Sequence, residues 1–168
     1  MLISCTKKLA DALKIEVIDV VPIKREPLYE WHANLFVFNR RKGVILMNNK
    51  TRFSVVLYGL TAEHFHQFKT IALSAIEQTF RAEGFTDDII LNYVRTSSQV
   101  IYAKSSDRSI LGQINDVLYM MQYMEDYLPA DDIYMIELSK QMSRTPMGKH
   151  VKYVYPIDVL KEELNKLG

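Results

Sequence analysis

His32 and Asn34 stand two residues apart in Trp31-His32-Ala33-Asn34-Leu35, a segment that otherwise carries apolar side chains. At strand spacing the two share one face. Histidine takes and returns a proton near neutral pH, so this pair is the first candidate for acid–base chemistry. Such a base needs a partner, and no neighbour in sequence shows one. Asp107, Asn115 or Asp116 could supply it only through the fold. The competing reading is a histidine hydrogen-bonded at a sheet edge.

A second constellation is cationic. Arg40-Arg41-Lys42 lie at a hairpin tip, and Lys50 and Arg52 lie at the opposite end of the same strands. A β-ribbon bearing several cations can contact phosphates. Hairpin tips are also charged simply because water solvates them. The third constellation, Lys104-Ser105-Ser106-Asp107-Arg108-Ser109, marks a strand giving way to a helix. Free N–H groups at a helix start favour anions, and Arg108 adds a donor. The glycines of a phosphate-binding loop are missing, so a plain capped helix competes with an anion site.

Other polar residues read as structural. His64 and His66 flank Phe65 on different helix faces. Asp87-Asp88 and Asp131-Asp132 complement helix starts. The Met and Tyr residues from Tyr119 to Tyr127 fit helix packing better than a cofactor box. Ser4, Ser54 and Ser98 lack the turn of a nucleophilic serine. The sole cysteine, Cys5, excludes an intramolecular disulfide and a multi-cysteine zinc site, and no GxGxxG, HExxH or CxxC occurs, so neither a metal nor a cofactor is expected.

Composition narrows the class. A formal charge of +1 over 168 residues gives no global field toward nucleic acid or acidic membranes, so any basic site is local. No segment has the length of a signal peptide's apolar region or a membrane span, and a soluble, cytoplasmic protein without membrane partners is expected. Length and the lack of linkers predict one domain over residues 1–168.

The elements that would position these residues follow from periodicity. Met1 to Ser4 reads as a strand, and Thr6 caps a short helix before a loop from Ile15 to Leu28 interrupted by Pro22 and Pro27. Trp31–Asn39, Val44–Met47 and Arg52–Leu60 are strands rich in β-branched and aromatic residues. Arg40-Arg41-Lys42-Gly43 joins the first two, with Gly43 in the left-handed conformation, and an Asn-rich Asn48–Thr51 joins the second two. Phe36, Phe38, Val44, Leu46, Phe53, Val55 and Leu57 then share one face. Leu35, Val37, Ile45, Met47, Val56 and Tyr58 share the other, and both faces are covered. Helices follow from Thr61 to Gly84, from Thr86, from Ser106 or Asp107 to Pro129, and from Asp131 or Asp132 to Ser143. Strands at Gln99–Lys104 and Val151–Tyr155 and a helix from Pro156 complete the chain. The expected class is α+β, with the antiparallel meander as centre of a mixed sheet packed by several helices.

Three segments, MLISCTKKLADAL, WHANLFVFNRRKGVILMNNKTRFSVVLYGL and KSSDRSILGQINDVL, resemble a family of small bacterial proteins catalogued as a domain of unknown function. RTPMG and YVYP extend the likeness over most of the chain. The resemblance implies a bacterial, cytosolic protein and no assigned chemistry. His32, Asn34, Arg40, Arg41, Asn48, Arg52, Asp107, Arg108, Asn115 and Asp116 lie in the matching segments. Three expectations result, in order: a non-catalytic interaction or regulatory module with a protein partner; a nucleic-acid-binding protein using the basic hairpin 40–43; and a hydrolase or nuclease using His32 and Asn34 with Asp107 or Asp116. The anion-binding candidates are Arg40, Arg41, Lys42, Arg52 and Arg108.

Overall fold

The computed structural model describes residues 1–19, 25–129, 131–149 and 152–167. Pro22 and Val151, expected in a loop and a strand, lie outside them. In chain order the elements are β1 (Leu2–Cys5), α1 (Lys7–Leu13), β2 (Glu30–Phe38), β3 (Arg41–Asn48), β4 (Ser54–Leu60), α2 (Ala62–His66) and α3 (Phe68–Ala82). There follow α4 (Asp87–Ser97), β5 (Ile101–Lys104), α5 (Arg108–Gln122), α6 (Ile136–Met142), β6 (Met147–Lys149), β7 (Lys152–Val154) and α7 (Pro156–Asn165). Single turns of 3-10 helix sit at Pro27–Tyr29 and Glu125–Tyr127.

The class is α+β. β2, β3 and β4 form the antiparallel meander, which runs from the middle strand of the sheet, β2, to one edge, β4, rather than lying at its centre throughout. The five-stranded order is β4-β3-β2-β1-β5, with β1 parallel to both β2 and β5. β6 and β7 pair separately as a small hairpin.

The first hairpin is tighter than expected. Asn39 (φ 45) and Arg40 (φ 62) form a two-residue turn with both residues left-handed, so Arg41 and Lys42 already belong to β3. Such turns match the twist of the flanking strands. Gly43 serves a different need: a Cβ there would lie 2.2 Å from the Phe36 ring. The left-handed glycine of the meander is Gly59 (φ 76), the extra residue where the β3–β4 register shifts between Lys42 and Gly43.

That turn moves β2 by one residue against β3 and so swaps its faces. Leu35 faces the same side as Val44, Leu46, Val55 and Leu57, whereas Phe36 joins Ile45, Met47, Val56 and Tyr58. The first side is buried by α1, α3, α4 and α7 through residues such as Leu9, Ile76, Tyr93 and Leu160. The second is buried by α5 and α6 through Ile110, Ile114, Val117, Leu138 and Met142. Both faces are thus apolar and covered, as the strand composition requires.

The helices are shorter than their patterns suggest. The segment after Thr61 breaks at Gln67 into α2 and α3, and Gly84 (φ 87) closes the second. α5 ends at Gln122, well before Pro129. Residues after Asp132 run along the outer edge of β4 before α6 begins: Tyr58 N donates to Ile133 O and Met135 N to Val56 O.

Candidate functional site

His32 is buried on the α5 side of β2. Its ring Nδ1 lies 2.7 Å from Asn49 Oδ1, and Asn49 Nδ2 donates to Glu30 Oε2 at 3.2 Å. The carboxylate can only accept, so it fixes the Asn49 amide, and the amide oxygen in turn requires a proton on Nδ1. The neutral ring therefore carries its lone pair on Nε2. Burial holds the His32 pKa below its ordinary value, while the Asn49 bond and the Asp107 charge oppose that shift.

Its supposed partners have other duties. Asn34 Oδ1 accepts from the Thr6 hydroxyl at 2.9 Å, which draws Thr6 away from capping α1. Asp107 is the N-cap of α5, with Oδ1 accepting from Ser109 N at 2.9 Å and Ile110 N at 3.1 Å. Its charge favours the protonated forms of both His32 and Arg52 against burial. Arg52 (φ 64) donates Nη1 to Asn49 O, and its Nε is buried without a partner among the described residues. Asn115 and Asp116 are exposed two turns further along α5, and Arg108 is exposed at its first turn.

The second Asn-rich connector works through side chains, not through asparagine backbone strain. Asn48 is fully buried, and its Oδ1 accepts from Lys50 N, Thr51 N and Thr51 Oγ1. Sequence reading had no signal to separate this asparagine from Asn49. Lys50, at the same end, pairs with Glu26 and Glu163.

The hairpin cations border a cavity of about 620 Å³ at the other end of the meander. Lys14 from the end of α1 and His66 from α2 join Arg40, Arg41 and Lys42 around it, over an apolar floor of Leu13, Leu60 and Phe65. Lys14 and His66 were missed because nothing in their own segments signals a site. Lys42 Nζ lies 5.8 Å from the Phe65 ring centre. Arg41 turns to the opposite side of the sheet, where its guanidinium sits over the Tyr58 ring at 4.7 Å and donates to Pro129 O.

A third feature runs from the last turns of α5 into the 3-10 turn that follows it. Tyr119, Tyr123 and Tyr127 do not pack inward; they are 61%, 73% and 86% exposed, while Met121 takes the buried position. Tyr119 and Tyr123 share a hydroxyl–hydroxyl contact of 2.6 Å. Tyr127 lines a groove of about 430 Å³ with Met124, Leu128, Tyr134 and Ile136, and its charged lining residues are Asp132 and Glu137. His32, Asn34 and Asp107 line neither this groove nor the basic cavity.

Among the described residues no group of His, Cys, Asp and Glu is placed to hold a metal ion, and no helix is long and apolar enough to cross a membrane. Burial pushes the Cys5 thiol up to about 12, which keeps it protonated. No curated protein and no solved structure matches the chain. Residues 2–159 match the model of one family, and the chain belongs to it: Domain of unknown function (DUF6933).

Proposed function

We propose that the protein is a non-catalytic interaction module that docks a basic, apolar-anchored segment of a partner protein into the groove between the end of α5 and α6. One observation carries this reading: exposed aromatics coincide with a segment whose own charges are all negative, reached by the cations Arg41 at Pro129 and Lys140 at Glu137. From Ser109 to Ser139 the chain has no Lys, Arg or His but six carboxylates, at positions 116, 125, 126, 131, 132 and 137, although the whole chain is +1. Tyrosine and methionine are enriched at interface cores because they supply large contact area, tyrosine at low entropic cost. Rim carboxylates steer a cationic partner and disfavour an acidic one. Half-buried Lys140 pairs with exposed Glu137 at 3.2 Å and offsets one of the six carboxylates.

The test is anisotropy titration with a labelled amphipathic Leu/Lys peptide and its Leu/Glu counterpart. The Leu/Lys peptide is expected to bind, and Asp132→Asn with Glu137→Gln, or Tyr127→Ser alone, to weaken it about tenfold. Asn at 132 keeps an acceptor for the Tyr134 N–H, which Asp132 Oδ1 now receives at 2.9 Å. Equal binding of both peptides, or indifference to these substitutions, removes the reading. A dimer abolished by Tyr127→Ser would also remove it, since a second copy would then own the groove.

A further inference from the structure

We infer that the cavity between the end of α1, the β2–β3 turn and α2 binds a nucleoside phosphate, either free or as a unit of a nucleic-acid strand. The site lies on the other side of the sheet from the peptide groove and does not depend on it. Lys14, Arg40 and Lys42 line the cavity, are exposed, and form no ion pair among the described residues. The carboxylate in the lining, Asp11, is held by Lys7 at 2.7 Å. Exposed uncompensated cations around one concavity mark an anion's place. A volume of about 620 Å³ falls in the range of small-ligand sites. The apolar floor of Leu60 and Phe65 suits a planar, weakly polar part attached to that anion, which inorganic phosphate lacks.

The backbone adds an independent argument. Lys14 (φ 55) and Arg40 (φ 62) both hold left-handed conformations. Lys14 follows the last residue of α1, where glycine is the usual choice. Arg40 is the second residue of a turn whose favoured pair is Asn-Gly, and Asn39 is already in place. A long cationic side chain at either position costs stability that glycine would recover. That two cations of one cavity both occupy such positions is explained if their charges are used.

This strain makes the test clean, because Lys14→Gly and Arg40→Gly remove the charges while suiting the backbone. Purified full-length protein is titrated at low salt with ATP, adenosine, inorganic phosphate and a labelled oligothymidylate. ATP or the oligonucleotide is expected to bind, adenosine and phosphate at least tenfold more weakly. The double glycine variant should lose at least tenfold in affinity while its melting temperature stays level or rises. For a strand, the slope of log K against log salt should fall by about 1.4, two contacts' worth. ATP that binds alone assigns the free ligand; an oligonucleotide that binds with no competition from ATP assigns the strand; competition supports both through one seat. Binding by neither, binding undiminished in the folded double variant, or phosphate binding as well as ATP overturns the inference.

Discussion

Asn49 decides what His32 can be. Tied to Glu30 through its amide nitrogen, it presents only oxygen to the ring and so holds one tautomer. Burial makes the charged ring costly. Because the folded-state pKa is lowered, the unfolded chain binds the proton more readily at mildly acid pH. The histidine's contribution is therefore complete above the ordinary value of about 6.5 and is lost as pH falls through the folded value. Urea unfolding at pH 7.5 and pH 5 should show this. The native chain should lose more stability than His32→Gln over that interval. Equal losses would mean that His32 is not the group responsible. The isolated position of this histidine among apolar residues was legible in the sequence; its partner was not, since Asn49 lies 17 residues away across a loop.

At the scale of elements, the outer edge of β4 is closed by hydroxyls on α6 and at its C-cap. Ser139 Oγ accepts from Val56 N at 2.9 Å, and Ser143 Oγ accepts from Ser54 N at 3.1 Å. Residues i and i+4 of a helix lie on one face, and alternate N–H groups of a strand point the same way. One turn of helix thus satisfies two donors that would otherwise be free to pair with another strand. Ser139→Ala should cost about 1–3 kcal/mol in denaturant unfolding, because it leaves a buried N–H unsatisfied. The double change with Ser143→Ala should also promote self-association detectable by light scattering. A cost below about 0.5 kcal/mol would show that water or a shifted backbone replaces the hydroxyl. Nothing in the serines' local sequence announces this role. The meander itself was plain from β-branched and aromatic runs, yet its face assignment failed. One residue more or less in a turn reverses a strand's faces, and Arg40 is not where propensity places a left-handed residue.

Across the whole molecule, the covered sheet separates two surfaces of opposite character. The cationic cavity adjoins the α1 side, and the acidic, tyrosine-bearing groove adjoins the α5 side. Sites that share no side chain are expected to act additively. The Lys14→Gly, Arg40→Gly variant should therefore bind the Leu/Lys peptide within about twofold of the native chain, and Tyr127→Ser should leave nucleotide binding equally unchanged. A tenfold cross-effect in either titration would refute independence. Arg41 is where it would arise, since this residue of the cavity lining also bonds Pro129 O beside the groove.

Linear sequence was enough for the α+β class, the three antiparallel strands, the family, and the absence of Lys, Arg and His from Ser109 to Ser139. These rest on local propensity, periodicity and composition, which a linear reading contains. The packing of distant segments set β1 and β5 into the sheet in parallel and left Tyr119, Tyr123 and Tyr127, on α5 and the turn after it, facing outward. It alone joined Lys14 and His66 to the hairpin cations around one cavity. Each of these depends on contacts between segments distant along the chain, and no local preference encodes which of several similar apolar or charged stretches will meet.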